Sequence, residues 1–268
     1  MYKFYMENTS YNGLFMWNNS AMGDTLLSIA LIDKLLKKYP GLNITLGCWK
    51  KLSYLAEHLP INVYGFSPVE GVDNYFFNSF TPHRHFHINT QFGVLPHVGK
   101  TFQWKYAIEN LNLYFKDSPF NLEYDEPLVE LPDLNVDVKP NSVFVENGKS
   151  FSGHNDFYYN LDLISKAFPE LTFYSTANET TQNPNVISLL DKNSIYLQSV
   201  QRKCKAILGK GSGPFILSFN KDCVNTPKAL FGFKLEEFKK YWDEDCDISY
   251  FAGDDNLVIE YLKKLNIC

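Results

Sequence analysis

Residues 13–39 constrain this chain more than any other stretch. An apolar run, Leu14-Phe15-Met16-Trp17, gives way to a polar loop, Asn18-Asn19-Ser20-Ala21-Met22-Gly23. Apolar residues then return at Leu26, Leu27, Ile29, Ala30, Leu31, Leu35, Leu36 and Tyr39. The first run reads as a strand. The second reads as a helix with only a narrow polar face, which suits packing against a sheet. Pro40-Gly41 ends that helix, and residues 42–48 supply the next strand. Strand, loop, helix and strand in this order open an α/β fold, whose ligands bind where strands end and helices begin. Gly23 permits a close turn at that place. Asp24 stands at the start of the helix, where a carboxylate caps free N–H groups and meets the positive end of the helix dipole.

The same alternation recurs along the chain. In the first half the pattern predicts a short helix over 52–59, strands over 61–64 and 74–80, and a helix over 101–115, with 2–6 as an edge strand or a hairpin partner of 14–17. Residues 116–140 carry Pro119, Pro127, Pro132 and Pro140 among acidic residues and asparagines with no sustained period, which marks a linker. The pattern then restarts with a strand over 142–146, a loop over 147–155, a helix over 157–168 and a strand over 171–175. Further strands are predicted over 186–189, 206–208, 228–233 and 248–251, and helices over 198–204, 235–242 and 256–265. A length of 268 residues fits two domains, 1–138 and 139–268, each large enough for its own core.

A second informative turn lies between the 206–208 strand and Phe215. Gly209-Lys210-Gly211-Ser212-Gly213-Pro214 is rich in glycine, and Pro214 suits the first position of a helix carrying residues 215–219. Such a turn presents backbone N–H groups to an anion without needing arginine. Arginine is scarce here, with Arg84 and Arg202 the only two in the sequence. The turn matches neither GxxxxGK[ST] nor a GxGxxG in the first βα turn of its domain.

Met22-Gly23-Asp24-Thr25-Leu26-Leu27, running on to Lys37-Lys38-Tyr39-Pro40, resembles the opening of the heptosyltransferase-like family of GT-B glycosyltransferases. Residues 209–214 resemble that family's Asn-Asp-Ser-Gly-Pro turn, and Val143-Phe144-Val145-Glu146-Asn147-Gly148 with the helix after it resembles the start of its C-terminal domain. The resemblance implies GT-B architecture, two Rossmann-like α/β/α domains facing a central cleft. It implies an acceptor on the N-terminal side and a nucleotide-sugar donor on the C-terminal side. Asp24 would be the general base on the acceptor hydroxyl. Lys149, Ser152, His154, Lys210, Gly211, Ser212, Gly213 and Pro214 would surround the donor, and Gly23, Arg84, His85 and His87 would line the acceptor side. Gly211 departs from the family pattern, which has Asp there, and Lys149 is the nearest residue to the basic position of the first C-terminal loop.

His83, His85 and His87 share one face of an extended segment, a spacing that can bind zinc or copper. No acidic or cysteine ligand accompanies them and the resembling family is metal-independent, so neither a metal nor any other cofactor is expected. A net charge of −5 opposes bulk nucleic-acid binding, which needs concentrated Lys and Arg. The five cysteines include no C-x-x-C pair and suit a reducing cytoplasm. No apolar run is long enough to span a bilayer, which leaves contact at a membrane surface open. The reading is a transferase from a nucleotide-sugar to a carbohydrate or other hydroxyl acceptor. Two alternatives stand beside it: a nucleotide-sugar epimerase or hydrolase of similar fold, and a non-catalytic sugar-nucleotide-binding module.

Overall fold

The computed structural model describes residues 13–17, 22–66, 85–89, 129–148, 155–177, 183–232 and 248–267. The edge strand expected over 2–6, the strand over 74–80 and the helices over 101–115 and 235–242 lie outside these residues. The chain forms two compact units, 1–127 and 128–268.

In the first unit, β1 (Gly13–Trp17) leads to α1 (Met22–Lys38), β2 (Ile44–Trp49), a 3₁₀ helix (Lys50–Ala56) and β3 (Asn62–Phe66). A further strand, β4 (His85–Asn89), completes a parallel sheet in the order β3-β2-β1-β4 among the described residues. Every side chain from Thr25 to Ile32 is buried, so α1 is enclosed over two turns, and its Asp33–Lys37 ion pair marks the outer face. The short helix expected over 52–59 is a 3₁₀ helix over Lys50–Ala56. Gly65 of β3 lies tight against it, since a Cβ there would sit 3.0 Å from the Lys50 Cα.

In the second unit, β5 (Ser142–Val145), α2 (Leu161–Ala167), β6 (Thr172–Ser175) and β7 (Val186–Ser188) are followed by α3 (Ser194–Gln201) and β8 (Ala206–Gly209). A one-turn helix, α4 (Gly213–Ile216), then β9 (Lys228–Phe231), β10 (Ile248–Phe251) and α5 (Asp255–Leu265) complete it. All described strands run parallel, in the order β10-β9-β8-β5-β6-β7. The chain therefore builds outward on one side of β5, then returns to build outward on the other from β8. This is the doubly wound order, with its switch point between β5 and β8. The strands β5, β6, β8 and β9 are buried at every position, and each centres on apolar residues on both faces. Helices α2 and α5 close one face over Val143, Val145, Phe173, Leu208 and Phe231.

Residues 129–136, read from sequence as linker, belong to the body of this unit. Val129, Leu131 and Val136 are buried. Gln198 receives the Leu131 N–H on its Oε1 (2.8 Å) and donates from Nε2 to the Val129 carbonyl (2.7 Å). Lys203 Nζ donates to the Val136 carbonyl (2.6 Å), and Arg202 donates to the Leu131 carbonyl (2.9 Å). Prolines and acidic residues hide this packing from a sequence reading, because it uses backbone groups rather than a periodic apolar face.

Candidate functional site

The C-terminal ends of β5 and β8 carry a connected polar group built around Glu146. Glu146 follows β5 directly, and its N–H donates to the Leu208 carbonyl of β8 (2.8 Å), so the β5–β8 ladder continues to this point. Its side chain turns into the Gly-rich turn after β8. The Lys210 N–H donates to Oε2 (2.6 Å) and the Ser212 N–H approaches the same oxygen (3.5 Å). The Ser212 hydroxyl donates to Oε1. The carboxyl is fully buried, and burial pushes its pKa above the ordinary glutamate value. The Ser212 hydroxyl, the two N–H groups and the Lys210 ammonium pull against that rise.

Lys210 supplies positive charge beside this carboxyl. Its Nζ donates to the Gly148 carbonyl (3.1 Å) and lies 4.0 Å over the ring of Tyr158, a half-exposed side chain. Burial lowers the Lys210 pKa, while the nearby carboxylates of Glu146 and Asp156 oppose the fall.

A second layer fixes these loops. The Tyr159 phenol donates to the Gly209 carbonyl (2.6 Å), and the Asn147 side chain exchanges two hydrogen bonds with the Tyr159 backbone (2.8 and 3.1 Å). Asn155 Nδ2 donates to the Phe231 carbonyl (2.7 Å) and to that of Lys210 (3.4 Å). The Asn147 and Gly148 N–H groups both donate to Thr176 Oγ1 (3.0 Å each) after β6. Four strand ends are tied together in this way into one polar rim among the described residues.

Gly211 adopts a left-handed φ of 77°, which fits glycine. The turn differs from its sequence reading in three respects. The helix begins at Gly213 with Ser212 as its N-cap and Pro214 second, and it ends at Ile216 rather than continuing to Phe219. A helix of one turn adds little macrodipole. The largest difference concerns the donors expected to face an outside anion: the N–H groups of Lys210 and Ser212 point at Glu146. Sequence reasoning placed Lys210, Gly211, Ser212, Gly213 and Pro214 together, as the structure does, and it missed Glu146, Tyr158, Tyr159 and Asn155. Glu146 had one signal, a charged residue at the C-terminal end of a wholly apolar strand. Lys149, Ser152 and His154 lie outside the described residues.

In the first unit, α1 starts at Met22, so Gly23 and Asp24 occupy its first turn rather than preceding it. Asp24 is half-buried, and its carbonyl accepts the Ser28 hydroxyl (2.8 Å). Strands β1 and β4 are paired from Gly13–His85 to Trp17–Asn89, with His87 opposite Phe15. Trp17 and Asn89 therefore mark the C-terminal edge, the side on which α1 begins. His85 opens β4, about 13 Å along the strand from Asn89 at roughly 3.3 Å per residue. Arg84 lies outside the described residues. Among those described, no cluster of His, Cys, Asp and Glu has the makings of a metal site, and no helix is long and apolar enough to cross a membrane.

No protein-family model matches the sequence, and no curated protein matches it significantly. Solved structures do match. The Escherichia coli heptosyltransferase WaaC, solved with ADP, superimposes with a TM-score of 0.63 at 8% identity, over 94% of this chain and 99% of that one. The E. coli ADP-heptose lipopolysaccharide heptosyltransferase II gives 0.60 at 13% identity over 94% and 98%. A family 9 glycosyltransferase from Veillonella parvula gives 0.59 at 10% identity over 94% and 89%. The fold that the sequence resemblance implied is thus found across nearly the whole chain: these two parallel α/β units have the GT-B fold of the heptosyltransferases.

Proposed function

We propose that this protein is a glycosyltransferase that moves a sugar from a nucleotide-activated donor to the hydroxyl of a carbohydrate or other acceptor. The observation that carries the reading is the doubly wound sheet of the second unit, with a connected polar rim at its switch point, in a chain that superimposes on heptosyltransferases along 94% of its length. Ligands of open parallel sheets bind at that edge. The nucleotide diphosphate of the donor lies against residues 210–214, with Lys210 as the nearby positive charge. Because WaaC was solved with ADP and with ADP-2-deoxy-2-fluoro heptose, adenosine diphosphate is the first nucleotide to try.

Asp24 acts as the general base. Its carboxylate takes the acceptor hydroxyl proton as the oxygen forms a bond to the anomeric carbon. The bond from that carbon to the diphosphate breaks, and its electron pair leaves with the diphosphate oxygen. Lys210 and the Ser212 hydroxyl meet the charge that develops there, so the reaction needs no metal. Gly23 and Arg84 belong to the acceptor side, as do His85 and His87 in β4. Lys149, Ser152 and His154 belong to the donor side.

The test is product analysis by mass spectrometry with a panel of nucleotide-sugars, first with water alone and then with sugar acceptors. Transfer that falls by about 10²–10⁴ in Asp24→Asn, with donor binding retained, supports the reading. Release of free sugar with no transfer product identifies a hydrolase. Donor binding without turnover, unchanged in Asp24→Asn, identifies a binding module.

A further inference from the structure

The donors of the turn after β8 already have an acceptor, and that acceptor is a carboxyl of the protein. Glu146 receives the Lys210 N–H (2.6 Å), approaches the Ser212 N–H (3.5 Å) and accepts the Ser212 hydroxyl. The charge balance of the same place leads further. Arg202 is committed elsewhere: it precedes β8 at the strand's N-terminal end, where its guanidinium meets Glu130, Asp133 and Asp222 at 3.0, 3.3 and 3.3 Å. Among the described residues, the positive charge beside the turn is Lys210, and an ionised Glu146 offsets it. With Glu146 protonated, one of the two carboxylates that act on Lys210, Glu146 and Asp156, is neutral, and the place becomes more positive by one charge.

On these grounds we infer that a phosphate or diphosphate group binds this turn together with one proton, which Glu146 takes up. The inference rests on the reading of residues 210–214 as the donor's phosphate site and adds the device that controls it. Protonation removes the rival negative charge and supplies a new O–H donor, so a single event both neutralises the carboxyl and equips the turn. Glu146 acts as the specificity-determining residue, disfavouring anions that arrive without a proton. The groups that face it are few. Lys210 and Ser212 come from the turn after β8, and the Tyr159 phenol comes from the segment before α2. Asp156 acts on Lys210, and Asp255 acts on Tyr159. Burial already favours the neutral carboxyl, so the proton is readily held.

The experiment is isothermal titration of the full chain with pyrophosphate and with ADP, from pH 5.5 to 8.5, in paired buffers of different ionisation enthalpy. Wild type and Glu146→Gln are compared, so that protons taken up or lost by the probes themselves cancel. The glutamine is isosteric and keeps the place neutral at every pH. In wild type, Kd should rise relative to the variant by about tenfold per pH unit wherever Glu146 is ionised in the free protein, with uptake of one proton. Glu146→Gln should bind pyrophosphate at least tenfold tighter at pH 8.5. If Glu146→Gln does not fold, judged by its unfolding transition, Ser212→Ala replaces it. That variant loses a hydrogen bond that favours the charged carboxyl, so the wild-type linkage should move to higher pH. Equal affinities and equal pH slopes in wild type and variant overturn the inference. So does an absence of binding by either protein at any pH, which also sinks the donor site. Proton-linked pyrophosphate binding with no preference for any nucleotide diphosphate upholds the inference and overturns the nucleotide-sugar reading alone.

Discussion

The Tyr159 phenol donates to the Gly209 carbonyl at 2.6 Å, across 50 residues of sequence, and thereby joins the segment before α2 to the end of β8. Tyr159 is buried and its ring packs edge-on against Phe231, with centroids 5.8 Å apart. Burial, with the nearby Glu146 and Asp255 carboxylates, pushes its pKa well above the ordinary tyrosine value, so it remains a neutral donor across the physiological range. Tyr159→Phe keeps the ring contact and removes this one hydrogen bond. The expected loss is about 0.5–1.5 kcal/mol in urea denaturation, and an unchanged midpoint would remove this bond from the account of the rim.

Gly209 has no room for a side chain. A Cβ there would lie 2.2 Å from the Phe215 ring and 2.8 Å from Leu230, both fully buried. Gly209→Ala must push Phe215 out of its place, and overpacking of this kind costs about 1–3 kcal/mol. Thermal unfolding should show a lowered midpoint for Gly209→Ala and none for substitution at Gly41, where no heavy atom lies within 4 Å, beyond the strain of its left-handed backbone.

The strands were legible in the sequence because a parallel strand covered on both faces is a continuous apolar run, as in Val143-Phe144-Val145 and Ala206-Ile207-Leu208. Helix boundaries were less so. The helix expected from Phe157 begins at Leu161, because Asn160 caps it and the preceding Phe157 and Tyr159 are spent on an aromatic cluster in extended chain. The Gly-rich turn was visible as composition. Its occupant was not, since Glu146 reaches Lys210 and Ser212 across 64 and 66 residues, and no local pattern records that reach. Asp24 was visible as the start of α1, though the helix begins two residues earlier.

Glu146 also makes a prediction about stability and pH. Its folded pKa is raised, chiefly by burial, above the ordinary value near 4.5. The folded state therefore holds the proton more tightly than the unfolded chain does. The stabilisation this gives is complete below the unfolded pKa and is lost as pH rises through the folded one. Glu146→Gln lacks the titration. Wild type should lose stability relative to the variant between pH 4.5 and 8, by about 1.4 kcal/mol for every tenfold by which folding tightens the hold on the proton, as measured by denaturant unfolding at the two pH values. A difference that grows in favour of wild type as pH rises would show that the carboxylate, rather than the acid, is the favoured form.

The buried thiols should be inert in the native protein. Burial pushes Cys48 up to about 12 and drives Cys204 and Cys223 upward as well, so little thiolate forms at neutral pH. Alkylation at pH 8 followed by peptide mapping should leave these three unmodified until denaturant is added. Rapid native labelling of any of them would indicate local opening of the sheet that covers it.

The strap over 129–136 fixes where the chain is first held by the second unit. A chain entering the second unit does not hang freely until Pro140. It is gripped from Val129 onward by Gln198, Arg202 and Lys203, and Lys139 is tied by its N–H to the Tyr174 phenol (3.1 Å). Residues 129 to 140 are thereby withdrawn from the tether, which removes about 40 Å of extended reach at 3.3–3.6 Å per residue. The grip reaches the Gly-rich turn itself, because the same helix α3 that holds Val129 through Gln198 also donates from Gln201 Nε2 to the Pro214 carbonyl (2.7 Å), so force on residue 129 is passed through α3 to the turn.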